Sequence, residues 1–112
     1  MDIHERLSLL RANLNLTTRA FGAVINMSGG AITNMEKGTR SITDRTIRDI
    51  CREYHVNPDW LIEGTEPMFV DLTKNLDIDE DVKNLVRQYS RLSVRDRQLV
   101  KMLVDSLYEK VN

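Results

Sequence analysis

Apolar residues recur along this chain at helical spacing, and no stretch alternates in the way that a β-strand does. The first apolar stripe has spacings of four and three residues and consists of Ile3, Leu7, Leu10 and Leu14. Later stripes each follow a residue that caps helices well, namely Thr17, Ser28, Thr43 and Asn57. The pattern therefore predicts five short helices before Gly64, each with one face turned inward.

Only a few residues separate the second predicted helix from the third. Gly22 supplies the small side chain that a steep helix crossing needs, and Asn26 tolerates the positive φ of a tight turn. The third helix is expected to end at Gly38. The buried face of the second helix would carry Phe21, Val24 and Ile25, and the inner faces of the unit would meet at Phe21, Ile25, Met27, Ile32 and Met35. Together these residues predict a helix-turn-helix unit between about Thr17 and Lys37.

The pattern beyond Thr65 is different, because periodicity is lost and then resumes in two helices at about 79–90 and 94–110. We expect an all-α chain in three parts: a five-helix repressor-type domain over residues 1–65, a tethered linker over 66–77 and a two-helix hairpin over 78–112. Acidic residues at 77–81 fit a helix N-terminus.

Two helices alone cannot bury an adequate core. Apolar residues occupy about half the circumference of the last helix, which is more than packing against one neighbour requires. Either the N-terminal domain or a second copy must cover the remainder, and we favour the second copy. The expected dimer contacts are Val100, Leu103, Val104, Leu107 and Val111.

Composition and charge change this picture only slightly. The net charge is −1, from 16 basic and 17 acidic residues, which is unusual for a DNA-binding protein. Four basic residues nevertheless face one acid between Lys37 and Arg48, which permits a basic surface. No signal segment or long apolar run is visible, so we expect a cytoplasmic, nucleoid-associated protein. The lone Cys51 lies on an apolar stripe and is expected to be a core thiol.

The first part of the chain, from about Ile3 to Thr65, resembles the helix-turn-helix domain of the Cro and phage-repressor family. The resemblance rests on Leu16-Thr17, Ser28, Ile32, Met35-Glu36-Lys37-Gly38, Thr46-Ile47 and Val56-Asn57-Pro58-Asp59-Trp60-Leu61. It implies a compact five-helix domain whose third helix enters the major groove. Dimers of this kind place two such helices about 34 Å apart on palindromic half-sites.

The resemblance also implies roles for individual residues. The expected DNA-facing residues are Thr17, Thr18, Ser28, Gly29, Gly30, Ala31, Thr33, Asn34, Lys37 and Arg40. Thr17, Thr18 and Arg40 would approach phosphates. Asn34 and Thr33 would carry most of the direct readout, with Asn34 reading adenine, and Ala31 would meet a thymine methyl group. Arg11 and Glu36 would form an ion pair between the first and third helices.

Two departures from the family pattern bear on DNA reading. Thr18 replaces a glutamine that is frequent in the family, and its shorter side chain reaches less far. Gly29 and Gly30 stand where relatives present base-reading side chains, and glycine cannot donate a bidentate pair to a base edge. They could instead allow close approach of the helix to DNA, or they could be tolerated at a frayed helix start.

The sequence therefore favours a bacterial or phage repressor that binds its operator as a homodimer. One alternative is an antitoxin or antagonist-binding regulator, in which a protein partner controls the DNA contact. Another is a protein-interaction module that keeps the fold with weak DNA contact. The sequence lacks the paired carboxylates, activated nucleophile or phosphate-cradling loop of an enzyme, so we expect no catalysis, cofactor, metal or small-molecule substrate.

Overall fold

The computed structural model of the protein describes residues 1–74 and 77–111. Over these residues the chain is all-α, as predicted, and its only extended pairing is one antiparallel bridge between Val56 and Phe69. The chain divides into two compact units, Met1–Val70 and Asp71–Asn112. The helices within the described residues are α1 (Ile3–Asn13), α2 (Thr18–Val24), α3 (Gly29–Lys37), α4 (Asp44–Tyr54), α5 (Pro58–Glu63), α6 (Glu80–Ser90) and α7 (Val94–Val111).

Short polar side chains start the helices of the first unit. The four predicted N-caps are confirmed, because each side-chain oxygen accepts a hydrogen bond from a backbone amide two or three residues later. These caps are Thr17, Ser28, Thr43 and Asn57. Helix α1 also begins with a capping box between Asp2 and Glu5, which the sequence analysis overlooked.

The core of the first unit is built from the inner faces of its five helices. Its buried members are Leu7, Leu10, Phe21, Ile25, Ile32, Met35, Ile50, Val56, Trp60 and Leu61. The prediction that Val24 is buried was wrong, because its side chain is 44% exposed. Helix α2 ends at this residue, and Ile25, its C-cap, is buried as predicted.

A buried arginine joins α1 to the last turn of α5. Arg6 lies beside the apolar stripe of α1 and is only 7% exposed, although its side chain is charged. Its Nε donates to the Leu61 carbonyl oxygen at 2.7 Å, and its Nη2 donates to the Ile62 carbonyl oxygen at 2.5 Å. A third hydrogen bond runs to the Met1 carbonyl oxygen. The guanidinium therefore satisfies carbonyl groups at the C-terminal end of α5, which have no partner inside that helix.

Helices α2 and α4 meet through a pair of aromatic rings. Phe21 and Tyr54 are stacked, with ring centroids 4.5 Å apart and an interplanar angle of 9°. The Tyr54 hydroxyl donates to the Phe21 carbonyl oxygen at 2.8 Å. Burial raises the pKa of Tyr54 to about 12, and the nearby Glu53 carboxylate adds to the shift.

The segment after α5 returns to the first unit. The backbone amide of Asn57 donates to the Met68 carbonyl oxygen at 2.9 Å, and the backbone amide of Val70 donates to the His55 carbonyl oxygen at 2.8 Å. Met68 and Phe69 pack against the core. Residues 66–70 of the predicted linker thus belong to the first unit, and residues 75 and 76 of that linker lie outside the described residues.

The second unit has a different character, because its apolar side chains are largely exposed. Among the described residues, the close helix pairs are α1–α3, α2–α3, α1–α5 and α4–α5, so all of them lie in the first unit. Asp71 anchors the start of the second unit: it accepts hydrogen bonds from Thr73 and Arg87, and these hold its pKa well below the usual value. None of the helices in the described ranges is long and apolar enough to cross a membrane.

Candidate nucleic-acid interface

Helices α2 and α3 cross at a glycine and are joined by a tight turn. The Gly22 carbonyl oxygen accepts hydrogen bonds from the amides of Ile25 at 3.0 Å and Met27 at 2.8 Å. Asn26 has φ of 59°, the left-handed conformation predicted for it. A Cβ at Gly22 would collide with the Met27 carbonyl and lie 3.0 Å from Ile32 Cγ1. The helix-turn-helix geometry therefore requires glycine at this crossing.

The N-terminal ends of α2 and α3 lie side by side. A Cβ built on Gly29 would lie 3.1 Å from the Arg19 backbone nitrogen and 3.3 Å from Thr18 Oγ1. The Thr17 hydroxyl accepts from the Ala20 amide, and the Ser28 hydroxyl accepts from the Ala31 amide, both at 3.1 Å. The structure thus brings the predicted phosphate-facing start of α2 next to the predicted base-facing start of α3.

Helix α3 has one buried face and one exposed face. Ser28, Gly30, Asn34 and Lys37 are exposed. Thr33 is partly buried, and its hydroxyl donates to the Gly29 carbonyl oxygen at 3.0 Å. The hypothesis that Ala31 meets a thymine methyl group is not supported, because Ala31 is only 7% exposed. Its methyl group lies on the same side of α3 as the core residues Ile32 and Met35, so it is unavailable to DNA.

Two polar contacts from α1 hold the last turn of α3. His4 Nδ1 donates to the Met35 carbonyl oxygen, with 2.6 Å between the two atoms. Arg11 and Glu36 form a bidentate ion pair, and Arg11 also donates to the Leu16 carbonyl oxygen at 2.9 Å. The ion pair was expected from the sequence, whereas the contact of His4 with α3 was not. These contacts fix the direction of α3 relative to the rest of the first unit.

The loop after α3 closes on the end of that helix. The Asn34 carbonyl oxygen accepts from the amides of Thr39 at 3.0 Å and Arg40 at 3.2 Å. Gly38 has φ of 80°, which places the chain in the left-handed region that glycine favours. Arg40 therefore has a fixed backbone and an exposed guanidinium beside the C-terminal end of α3.

The stretch of chain from α2 to the first half of α4 has an excess of basic side chains. Between residues 17 and 48 the chain has five basic and two acidic residues, and one of those acids, Glu36, is paired with Arg11. All five basic side chains are exposed, and within the described ranges none forms an ion pair. They are Arg19, Lys37, Arg40, Arg45 and Arg48. Arg19 was not singled out from the sequence, although its place beside the capped start of α2 was visible there.

Helix α7 exposes a broad apolar face, which we call the α7 apolar face. The expected dimer contacts Val100, Leu103, Val104 and Leu107 are between 36% and 61% exposed. The side chain of Val111, the fifth expected contact, lies outside the described part of the chain. Helix α6 likewise exposes Leu85 at 62%. Contiguous exposed apolar surface of this kind is typical of an interaction site.

The single cysteine lines a shallow groove of about 330 Å³ on the first unit. The groove lies between α4 and α5 and is lined by Asp44, Ile47, Arg48, Cys51, Pro58 and Ile62. Burial raises the pKa of the Cys51 thiol, which lowers its reactivity.

Comparison with known families agrees with this geometry. Residues 7–61, which run from α1 to α5, match the family described as helix-turn-helix, of the Cro/C1 type. No curated protein and no solved structure matches the chain. The matched range contains α2, the turn, α3 and the loop that carries Arg40.

Proposed function

Since the chain belongs to the Cro/C1-type helix-turn-helix family, whose members are DNA-binding regulators, we propose that it is a transcriptional repressor acting as a homodimer on a palindromic operator. The observation that carries the proposal is the exposed face of α3, which carries Asn34. The exposed Arg19 lies beside the start of this helix, and the exposed Arg40 lies beside its end. Phosphate contacts by such cations supply affinity, whereas amide contacts to base edges supply sequence preference.

In this proposal, α3 lies in the major groove and Asn34 reads adenine through its side-chain amide. The exposed starts of α2 and α3, with Thr17, Thr18 and Ser28, meet the phosphate backbone. Lys37 and Arg40 approach a second phosphate run beyond the end of α3. Binding to DNA inside the cell implies a cytoplasmic, nucleoid-associated location.

Dimerisation is proposed to occur through the second unit. The α7 apolar face and the exposed apolar residues of α6 would be removed from water when two copies associate. A two-fold symmetric pair presents two α3 helices, and half-sites on DNA are then expected about 34 Å apart. A protein antagonist that occupied the same apolar face would release the operator by separating the two copies.

The second candidate function is a protein-interaction module with weak DNA contact. Gly29 and Gly30 favour this candidate, because they leave the start of α3 without side chains that read bases. The net charge of −1 also favours it. Binding of duplex DNA at several salt concentrations separates the two functions. The repressor should lose affinity steeply as salt rises, since each neutralised phosphate contributes a slope of about −0.9 in log K against log salt.

Two single variants test the proposed roles in the same assay. Asn34→Ala should lose preference at one base pair in each half-site, at a cost of about 1–3 kcal/mol for the preferred base. Arg40→Ala should weaken binding to all duplexes about equally and lower the salt slope by about 1. Identical behaviour of the two variants contradicts this assignment, and binding that does not respond to salt contradicts the repressor itself.

A further inference from the structure

We propose that Gly30 is a vacant reading position of α3, so that the protein has no direct preference for the base pair facing the start of this helix. The inference deepens the proposed function and rests on it, because it takes the exposed face of α3 as the surface that meets DNA. The inference concerns which base pairs the protein distinguishes, because the helix-turn-helix fold alone does not determine them.

The two glycines at the start of α3 have different surroundings. At Gly29, a Cβ would lie 3.1 Å from the Arg19 backbone nitrogen and 3.2 Å from Arg19 Cα, both of which belong to the backbone of α2. At Gly30, a Cβ would meet only Ser28 Oγ, at the ordinary contact distance of 3.9 Å. Gly29 is therefore small because α2 packs against it. Packing inside the protein gives no reason for glycine at position 30.

The neighbours of Gly30 do not compensate for its missing side chain. Ala31 is buried, the Ser28 hydroxyl caps the helix, and the Thr33 hydroxyl donates back to the Gly29 carbonyl oxygen. The nearest exposed side chain on α3 that can both donate and accept is that of Asn34, one turn later. Four residues of helix span about 6 Å, which is roughly two base-pair steps of 3.4 Å.

Direct readout requires donors and acceptors that reach base edges. When bound duplexes are selected from a random pool, each half-site should therefore show a preference at the base pair facing Asn34. It should show no direct preference at the base pair opposite Gly30, about two base-pair steps away. A side chain with a carboxamide at position 30 should supply the missing contact, because its Cβ would meet only Ser28 Oγ, at an ordinary contact distance.

The alternative reason for Gly30 is close approach of the α3 backbone to DNA. Glycine permits such an approach because it has no Cβ. The two explanations differ in what a single methyl group does: it is harmless at a vacant reading position, whereas it keeps DNA away at a position of close approach.

The experiment selects bound duplexes from a random pool with wild type, Gly30→Ala, Gly30→Gln and the control Ala23→Gln. Ala23 is exposed on the C-terminal half of α2, so this control adds the same carboxamide outside the proposed reading surface. Gly30→Gln should gain one preferred base pair per half-site, with roughly 5- to 100-fold discrimination in favour of adenine. Gly30→Ala and Ala23→Gln should select the wild-type sites.

Affinity and thermal stability complete the test. Gly30→Ala should bind the wild-type site within about 2-fold, and its Tm should rise by a few degrees because alanine favours helix over glycine. A loss of tenfold or more with Tm retained would mean close approach and overturns the inference. So does a Gly30→Gln protein that binds but selects only the wild-type site. If wild type enriches no duplex, the proposed function fails and the inference falls with it.

Discussion

Arg11 and Glu36 join α1 to α3 through two parallel hydrogen bonds, from Arg11 Nε to Glu36 Oε2 at 2.8 Å and from Arg11 Nη2 to Glu36 Oε1 at 2.9 Å. The Arg11 side chain is 25% exposed and the Glu36 side chain 10% exposed, so the pair is only partly shielded from water. A bidentate pair of an arginine and a carboxylate restricts the relative orientation of the two side chains as well as contributing to stability. This pair orients α3 as well as stabilising the first unit.

Removing one member of this pair should destabilise the protein measurably. Glu36→Ala leaves the Arg11 guanidinium with the Leu16 carbonyl as its remaining partner, and we expect a loss of about 1–3 kcal/mol in the free energy of unfolding. Urea unfolding measures the loss. The control Glu53→Ala removes an exposed partner of Arg52 and should cost less than about 0.5 kcal/mol. Equal stability of the two variants would contradict the role given to Glu36.

Arg6 should tolerate replacement even less well. Arg6→Lys keeps the positive charge but loses the planar fork that reaches the carbonyl groups of Leu61, Ile62 and Met1. We expect a loss of about 2–4 kcal/mol, since buried carbonyl groups and a buried charge lose partners together. Arg19→Lys, at an exposed position, is the matched control for thermal unfolding. A melting curve for Arg6→Lys that overlays the control would refute this account.

Stability should fall in alkali because of Tyr54. Its pKa is raised to about 12 in the folded protein, whereas an unperturbed tyrosine titrates near 10. Below about pH 10 the Tyr54 hydroxyl is protonated in both the folded and the unfolded protein, so its contribution to the free energy of unfolding is complete. Between about pH 10 and 12 only the folded state keeps it, and stability declines as pH rises.

Unfolding by urea at several pH values between about 9 and 12 measures this decline. The variant Tyr54→Phe should be less stable near neutral pH by about 1 kcal/mol, because the hydrogen bond to the Phe21 carbonyl is lost. Its stability should fall less steeply over the alkaline range. Curves for wild type and variant that run parallel throughout would show that another group titrates there.

A charge on the α7 apolar face should abolish the proposed dimer. Leu103→Glu places a carboxylate at a residue that is 61% exposed, so it should leave each chain folded and keep two copies apart. Light scattering should give the mass of one chain, and affinity for a full operator should fall at least tenfold. Gln98→Glu, on the polar side of α7, is the matched control and should remain dimeric. A monomeric wild type at micromolar concentration refutes the dimer.

Much of the fold was visible in the sequence because its signals are local. Thr17, Ser28 and Thr43 each precede an apolar stripe, and capping depends only on neighbouring residues. The role of Arg6 was not visible, because its partners in α5 lie more than fifty residues away in the chain. Asp2 and Glu5 do carry the signature of a capping box, so that helix start could have been predicted.

The candidate site was less predictable than its scaffold. Gly29 and Gly30 are identical in sequence terms, and only their distances from the backbone of α2 distinguish a packing position from an open one. Ala31 was assigned to the DNA-facing surface, yet its rotation about the axis of α3 places it in the core. The start of α3 was placed correctly, but Ala31 lies four residues before the buried Met35, and residues four apart share one face of a helix.

The exposed apolar faces of α6 and α7 also bear on how such a repressor would respond to its own abundance. If two chains must associate before they occupy a full operator, occupancy at low concentration rises with the square of the amount of protein rather than in proportion to it. A promoter controlled in this way switches over a narrower range of expression than one bound by a monomer. The surface that α7 leaves uncovered would then set the threshold at which the gene is silenced.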